Sequence, residues 1–367
     1  MYKDFLAQKG QVCFLNSASQ DGWDPILAWD PDEIFDGEFQ DLEAFLKRNK
    51  AKLIIGYFSY DLGYEILGIK PQAEDTLKLP KIYLLAFSNY KRGDREIPKA
   101  NFSSSIEFKT QISESQYSQN YAKIKEHIKK GDIYQINYAH WLKAQSDLSA
   151  RELFSRISAK NPVDHLAYIE GPDFEILSAS PERFIEVDGK DIATYPIKGT
   201  SPDSPEKLLA SKKEAAELNM ITDLLRNDIG KISEANSVKV EKHRATKRCA
   251  SVWHTYSKIT GKLRSDITPI KALLEMFPGG SITGCPKKRA MQIIDEVEPS
   301  MRSVYCGAIG IIEPGQEKID FSIAIRTIIK KGEELHLPVG GGIVLDSEEK
   351  AEFKETLDKA KSFMQIL

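Results

Sequence analysis

The sequence predicts an α+β fold in which large antiparallel sheets pack against helices, and three observations carry that prediction. Short apolar segments bounded by turn residues recur along the chain, many at the spacing of hairpins. Segments with a 3.6-residue apolar period interrupt them without the repeating β-α-β rhythm of a doubly wound sheet. The 367 residues, 41% hydrophobic and 29% charged, suffice for two lobes or one large fold with ample core.

Residues 1–90 mix short apolar segments such as Leu53-Ile54-Ile55-Gly56-Tyr57-Phe58 with polar turns. A polar stretch follows from Lys91 to about Thr110, including Arg92-Gly93-Asp94-Arg95 and Asn101-Phe102-Ser103-Ser104-Ser105. It reads as a lobe junction and divides the chain into regions 1–110 and 111–367. Tyr117, Tyr121, Ile124 and Ile128 then recur at helical spacing, and Gly131 closes that helix. Strands are predicted at 133–141, 174–178, 184–187, 192–195, 304–312, 321–329 and 334–339, and helices at 205–229, 286–297 and 348–364. No internal repeat or low-complexity tract is present.

Charge and cysteine usage narrow the function. The formal net charge is −3, without a basic block, which argues against nucleic acid as the main partner. No apolar run reaches membrane-spanning length, and Met1-Tyr2-Lys3-Asp4 opens without a signal-peptide pattern. A cytoplasmic protein with no membrane partner is expected. Cys13, Cys249, Cys285 and Cys306 lack paired metal-ligand spacing and read as thiols in a reducing compartment, not as a zinc site.

Two pairs of glutamates stand out. In the 205–229 helix, Glu214, Leu218, Ile221 and Leu225 form one ridge, and Glu217, Ile221 and Leu224 the next. Carboxylates in line with an apolar face are costly unless paired or bound to a metal. In the last helix, Phe353, Leu357, Ala360 and Met364 form a core stripe, while Glu352, Glu355 and Lys359 form a separate one. The two Glu-x-x-Glu pairs read either as solvated faces with ordinary ion pairs or as oxygen ligands around a hard dication such as Mg²⁺.

Other segments suit an anion. Gly340-Gly341-Gly342 is predicted to turn from the 334–339 strand into the last helix, capped by Asp346 or Ser347; it is either a plain tight turn or an anion-binding concavity. Along 321–329, alternation puts Ser322, Ala324 and Arg326 on one face, which is either exposed or a carboxylate site. The run Ser281-Ile282-Thr283-Gly284-Cys285-Pro286 reads as a loop ending in Pro at the first helical position, a plain cap or an anion contact. Residues 183–187, the Asp188-Gly189 turn and residues 192–195 form a hairpin. Glu182 and Lys198 leave the same end of it, staggered by roughly 7–10 Å. Ser180-Pro181-Glu182 sets the acid on a bend, and Gly199 lets the chain turn after Lys198. The two are either a surface salt bridge or an acid and a nucleophilic amine flanking a small ring.

Taken in order, the motifs resemble the chorismate-utilising enzymes, which comprise anthranilate, aminodeoxychorismate, isochorismate and salicylate synthases. The matching stretches are GDIYQIN (131–137), SPERF (180–184), PIKGT (196–200), ELNMITDLLRNDIGKI (217–232), FPGGSITGCPKKRAMQIIDEVEP (277–299), YCGAIG (305–310), DFSIAIRT (320–327) and GGGIVLDSEEKAEFKETLDKAK (340–361). They run from about Ser113 to the C-terminus in family order and are highly specific together.

The resemblance implies an anthranilate-synthase-component-I-like fold, with 111–367 as the chorismate-binding catalytic region. It implies Mg²⁺ ligation by Glu217 and Glu355, with Glu214 and Glu352 beside them, the ion holding the ring carboxylate of chorismate. Tyr305, Arg326 and the backbone of Gly340, Gly341 and Gly342 resemble the site for the enolpyruvyl carboxylate. Gln135, Gly199, Thr200, His254, Thr283 and Lys359 resemble further substrate-site positions, and Glu182 the general acid for loss of the C4 hydroxyl. Gln135 matches the ammonia-using members, where water-adding relatives carry Lys. Lys198 matches aminodeoxychorismate synthases, where anthranilate synthases usually carry Ala. The implied reaction is attack by Lys198 at C2, then ammonia at C4, with ammonia from a separate glutamine amidotransferase subunit. The N-terminal part is short for the family, and Cys13-Phe14-Leu15-Asn16-Ser17-Ala18 only loosely matches its tryptophan-pocket element. Cys285 stands where Ala is common.

Overall fold

In the computed structural model, residues 1–98, 106–201, 203–249 and 252–364 are described, with side chains up to residue 361. The strands fall into two ten-stranded sheets, paired antiparallel throughout. Period-two alternation makes them stack. Along Leu53–Phe58, residues Leu53, Ile55 and Tyr57 join an inner core with Leu15, Ile169, Ile176 and Ile329 of the other sheet. Ile54 and Phe58 point outward, to a core shared with Ile124, Ile221, Leu273 and Ile294 of the covering helices. A third core joins the outer face of the sheet that holds Leu15 and Ile169 to the helix Ala150–Lys160 through Leu153, Phe154 and Ile157. The α+β class read from the sequence is the observed one.

The predicted lobe junction lies partly outside the described residues, at 99–105. Strands preceding it, Val12–Asn16 and Leu53–Phe58, are hydrogen-bonded into the same two sheets as those following it. Regions 1–110 and 111–367 therefore share both sheets. No helix among the described residues is long and apolar enough to cross a membrane.

Local chemistry explains where elements begin and end. Helix Glu114–Lys130 opens with a Ser113–Gln116 capping box and closes at Gly131, whose φ of 80° is the left-handed conformation that glycine accepts readily. The single helix expected at 205–229 is two, Pro205–Ala210 and Lys212–Ile232. Ser211 breaks it, its hydroxyl accepting from the Glu214 backbone N–H at 3.2 Å and capping the second helix.

Further expectations are corrected. The strand expected at 321–329 is two strands in different sheets, Lys318–Ile323 and Thr327–Lys331. Between them Arg326 takes φ 52°, so the alternation expected to put Ser322, Ala324 and Arg326 on one face ends there. The glycines 340–342 do not turn; they continue the strand Glu334–Ile343, where Gly340, Gly341 and Gly342 pair with Ala139, Tyr138 and Asn137 of Gln135–Gln145. Backbone pairing wins over glycine's freedom, because each lost ladder bond would leave a buried polar group unsatisfied. The strand expected at 304–312 begins only at Ala308, and Pro286 is the N-cap, not the first helical residue, of Lys287–Val297.

Beneath these elements lies a buried ion pair. Arg302, 1% exposed, donates to both carboxylate oxygens of Glu298 at 2.6 and 2.9 Å. It also donates to the carbonyls of Asn137 (2.6 Å) and Ile282 (2.9 Å). Glu298 accepts from the Ala139 N–H at 2.8 Å, and the Tyr60 ring lies 4.6 Å from the guanidinium. Arg302→Met would strand Glu298 among apolar neighbours and should cost about 3–5 kcal/mol of stability, measured by denaturant unfolding. A loss under about 1 kcal/mol would show that the pair is not the strut described.

Candidate active site

The expected hairpin forms, with Arg183–Asp188 paired to Asp191–Thr194. Beyond it the chain turns into the strand Ile197–Ser201, laid along Val252–Lys262 with a register shift between Lys198 and Thr200. Gly199 makes that shift, at φ 67°; a Cβ there would sit 2.9 Å from Glu214 Oε2. The irregularity places Lys198 against the 280–282 turn. Its Nζ donates to the Ser281 carbonyl at 3.5 Å, while the Ser281 hydroxyl donates to Glu182 Oε1 at 2.8 Å. One serine thus touches both the acid and the amine. Glu182 is buried, and burial raises its carboxyl pKa against the lowering effects of Lys198, the Ser281 hydroxyl and the Ile197 N–H. A solvated surface salt bridge is not what forms.

The strand with Gly340, Gly341 and Gly342 supplies one wall. Cβ atoms added at 340 and 342 would lie 3.0 Å from the Tyr305 hydroxyl and from Gln135 Nε2, and one at 341 would lie 3.7 Å from Glu352 Oε2. The bare backbone lets these three side chains converge on it. Gln135 Oε1 and His254 Nε2 are buried and have no hydrogen-bond partner among the described residues. His254 Nδ1 lies 2.9 Å from the Gly199 carbonyl and 3.1 Å from the Thr200 hydroxyl. The carbonyl can only accept, so Nδ1 carries the proton and Nε2 is left as a bare acceptor. Burial and the nearby Arg326 push the His254 pKa down to about 4.

Arg326 reaches this region because the chain changes sheets beside it. Its backbone carbonyl accepts from Ala179, but its guanidinium has no ion pair among the described residues. It is half-buried in a recess, and desolvation lowers its pKa. A desolvated cation without a counter-charge is what an anionic ligand would complete. Thr283 fits less well than expected: its hydroxyl is buried and donates to the Gly279 carbonyl at 2.8 Å, leaving only lone pairs.

The four glutamates face one another across helices Lys212–Ile232 and Glu349–Met364. Glu352, whose stripe the sequence left open between a solvated face and a metal-ligand set, is 3% exposed. Burial raises its pKa, as do Glu355 and Glu217; burial and Glu217 likewise raise that of Glu214. Glu355 behaves oppositely: burial raises its pKa, but Lys359 at 2.8 Å, together with Lys213 and Lys198, lowers it on balance. Lys359 also donates to the Gly340 carbonyl at 3.3 Å, tying the last helix to the glycine strand. Among the described residues no three His, Cys, Asp or Glu side chains converge tightly enough to hold an ion as they stand. Of the last helix's expected core stripe, Ala360 is buried, Phe353 and Leu357 are half-buried, and the Met364 side chain lies outside the described residues.

Sequence reasoning missed the double role of Ser281, since only folding brings it against residues 83 and 99 positions away. It also passed over Lys213, which lies between the glutamates. The i,i+4 spacing from Lys213 to Glu217 was a legible signal. A cavity of about 520 Å³ lies elsewhere, lined by Pro181, Arg183 and Ile197, whose neighbours Glu182 and Lys198 do not line it.

A family model described as chorismate binding enzyme matches residues 12–365. Aminodeoxychorismate synthase component 1 of Escherichia coli (strain K12) is 35% identical over 346 residues, covering 85% of this chain and 76% of that protein. An anthranilate synthase component 1 of Haloarcula marismortui is 39% identical over 266 residues, covering 70% of this chain and 53% of that protein. The chain thus spans about half the length of that relative. Anthranilate synthase component I from Streptococcus pneumoniae TIGR4 superposes with a TM-score of 0.81 at 29% identity, over 92% of this chain and 91% of that one. The menaquinone-specific isochorismate synthase of Escherichia coli shares the fold, with a TM-score of 0.80 at 16% identity over 98% of this chain and 89% of that one.

The site's histidine gives a test in pH. The folded pKa of His254, about 4, lies below the roughly 6.5 of an unfolded histidine. Between those values the unfolded chain binds more protons, so the contribution of His254 is complete above pH 6.5 and is lost as pH falls toward 4. Its slope reaches at most about 1.4 kcal/mol per pH unit. His254→Gln should flatten stability against pH between 6.5 and 4, measured by urea unfolding at several pH values. An unchanged slope would mean that the imidazole is not held neutral.

Proposed function

This chain belongs to the chorismate-binding enzyme family, and we propose that it aminates chorismate at C4 as the large component of an aminodeoxychorismate synthase. The observation that carries this reading is the placement of Lys198, held beside buried Glu182 by a serine that touches both. An amine and a carboxyl group so placed can act on opposite ends of one small ring. Lys198 attacks C2 as the free amine, both conjugated ring double bonds shift, and the C4 hydroxyl leaves as water with a proton from Glu182. Ammonia then bonds to C4, the two double bonds shift back, Lys198 departs from C2 as the amine, and the proton shed by the new C4 ammonium restores Glu182. The balance is chorismate plus ammonia to 4-amino-4-deoxychorismate plus water.

Other groups bind and orient. Arg326, which has no ion pair among the described residues, suits the enolpyruvyl carboxylate, beside the Tyr305 hydroxyl and the open Gly340–342 backbone. His254 Nε2 and Gln135 Oε1, bare acceptors, suit hydroxyl or ammonia hydrogens. The donor set of Glu214, Glu217, Glu352 and Glu355 fits a hard dication: it is all oxygen, it spans two helices, and the carboxylates destabilise one another. Mg²⁺ bound there would offset that repulsion and anchor the ring carboxylate. Ammonia would come from a separate glutamine amidotransferase subunit, and a lyase would convert the product to 4-aminobenzoate for folate synthesis.

Anthranilate synthase is the second reading, favoured by the Haloarcula and Streptococcus relatives. The two differ in where nitrogen ends. With chorismate and ammonium salt, the wild type should form 4-amino-4-deoxychorismate, detected by mass spectrometry and as 4-aminobenzoate after lyase treatment. Lys198→Ala should cut C4 amination by about 100-fold or more, the scale of a lost covalent route. Anthranilate from the wild type, or undiminished C4 amination by the variant, would make the second reading the better one.

The metal assignment has its own test. Glu217→Gln and Glu355→Gln should each abolish turnover while circular dichroism stays native, and excess chelator should silence the wild type. Full activity in any of these three conditions would remove magnesium from the scheme.

A further inference from the structure

The glutamate cluster contains a cation of its own. Lys213 Nζ lies 3.9 Å from Glu217 Oε1 on its own helix and 3.8 Å from Glu352 Oε1 on the last helix. The Lys213 side chain is 58% exposed, whereas those of Glu217 and Glu352 are 19% and 4% exposed. The ammonium therefore sits at the mouth of the cluster with its charge turned inward. Lys359 pairs with Glu355 one turn away on the same helix, whereas Lys213 reaches carboxylates on both helices.

From this arrangement we propose that Lys213 is a tethered counter-ion that occupies the divalent-cation position in the metal-free protein and is expelled to solvent when the ion enters. The proposal rests on the reading of the glutamates as a metal site. A dication held by these carboxylates would take its oxygen ligands from the same Glu217 and Glu352 side chains that face the ammonium. Two cations sharing the same oxygens repel each other, so the ion and the inward position of Lys213 exclude one another. The long flexible stem and half-exposed position of Lys213 give it a way out. Lys213 thereby does two opposing things. It relieves repulsion among the carboxylates when no metal is present, and it competes with the metal for Glu217 and Glu352. The competition weakens affinity for any dication, so occupancy depends more strongly on an anionic substrate arriving with the ion.

Calorimetric titration of the full chain with MgCl₂, without chorismate, tests this directly. Lys213→Gln keeps the stem length and removes the charge; it should bind Mg²⁺ about tenfold more tightly than the wild type, about 1.4 kcal/mol. In EDTA the same variant should melt below the wild type, and saturating Mg²⁺ should close that gap. Lys213→Arg, which keeps the charge, should behave as the wild type in both measurements. Equal or weaker Mg²⁺ binding by Lys213→Gln, with wild-type binding intact, would overturn the counter-ion role and leave the metal site standing. Absence of Mg²⁺ binding in both proteins would overturn the metal reading and the counter-ion role with it.

Discussion

The site is assembled around the buried Arg302–Glu298 pair. Two opposite charges in a dry interior gain little over apolar residues unless every remaining donor and acceptor is used. Here they are used to join parts of the chain that are far apart in sequence. Arg302 reaches the Asn137 carbonyl and the Ile282 carbonyl, Glu298 takes the Ala139 N–H, and Tyr60 covers the guanidinium. Each contact is close in sequence to a site residue: Asn137 to Gln135, Ile282 to Ser281, and Arg302 itself to Tyr305. The next residue after Tyr60 continues the theme, since Asp61 accepts from the Ser303 N–H at 2.9 Å. A side chain that must satisfy four elements at once leaves them one relative arrangement, which is how a charged strut lends precision to neighbours it never touches.

Precision of that kind matters because the site itself is electrostatically unfinished. Arg326 has no ion pair among the described residues, while a few elements away Lys213 and Lys359 pair with three of the four carboxylates. Protein interiors normally pair such groups internally. Leaving positive and negative charge separated costs stability, and the cost is recovered only when something carrying the opposite charges arrives. An anion with an accompanying cation meets both needs, whereas either alone meets one. Glu182 is likewise buried against Ser281 instead of being paired at the surface, and the desolvation that raises its pKa favours the protonated form that the proposed general acid requires.

Much of this was legible in the chain before it was folded, and the failures have physical causes. Helix Glu114–Lys130 was visible because its apolar period, capping residues and closing glycine agree. The antiparallel class was visible because hairpin spacing is local. What escaped were features decided by distant partners. Gly340, Gly341 and Gly342 look like a turn by composition, yet the seven flanking residues of the ladder hold them in strand conformation. Residues 321–329 alternate like one strand, but Ala324 is drawn to Gly307 and Arg326 to Ala179, so the segment divides between sheets. The 205–229 helix looked continuous because a serine costs a helix interior little, and only the capping bond at Ser211 shows the break.

The candidate site divides along the same line. Residue types and their order singled out the glutamate pairs, Glu182, Lys198 and Arg326 as candidates, because the proposed chemistry limits which side chains can serve. Order could not carry the contacts among them. Ser281 is one hydroxyl in a loop with two, and nothing nearby in sequence distinguishes it from Thr283. Folding does so: the Thr283 hydroxyl turns back to Gly279, while the Ser281 hydroxyl faces Glu182. Lys213 is a harder case, since a lysine beside glutamates on a helix is ordinarily a solvated ion pair worth little. Its meaning changes only because the second helix brings a buried carboxylate, Glu352, to within 3.8 Å of it. A surface charge becomes part of a binding site when the group it faces cannot reach water, and that condition belongs to the packing of two helices that the sequence separates by more than a hundred residues.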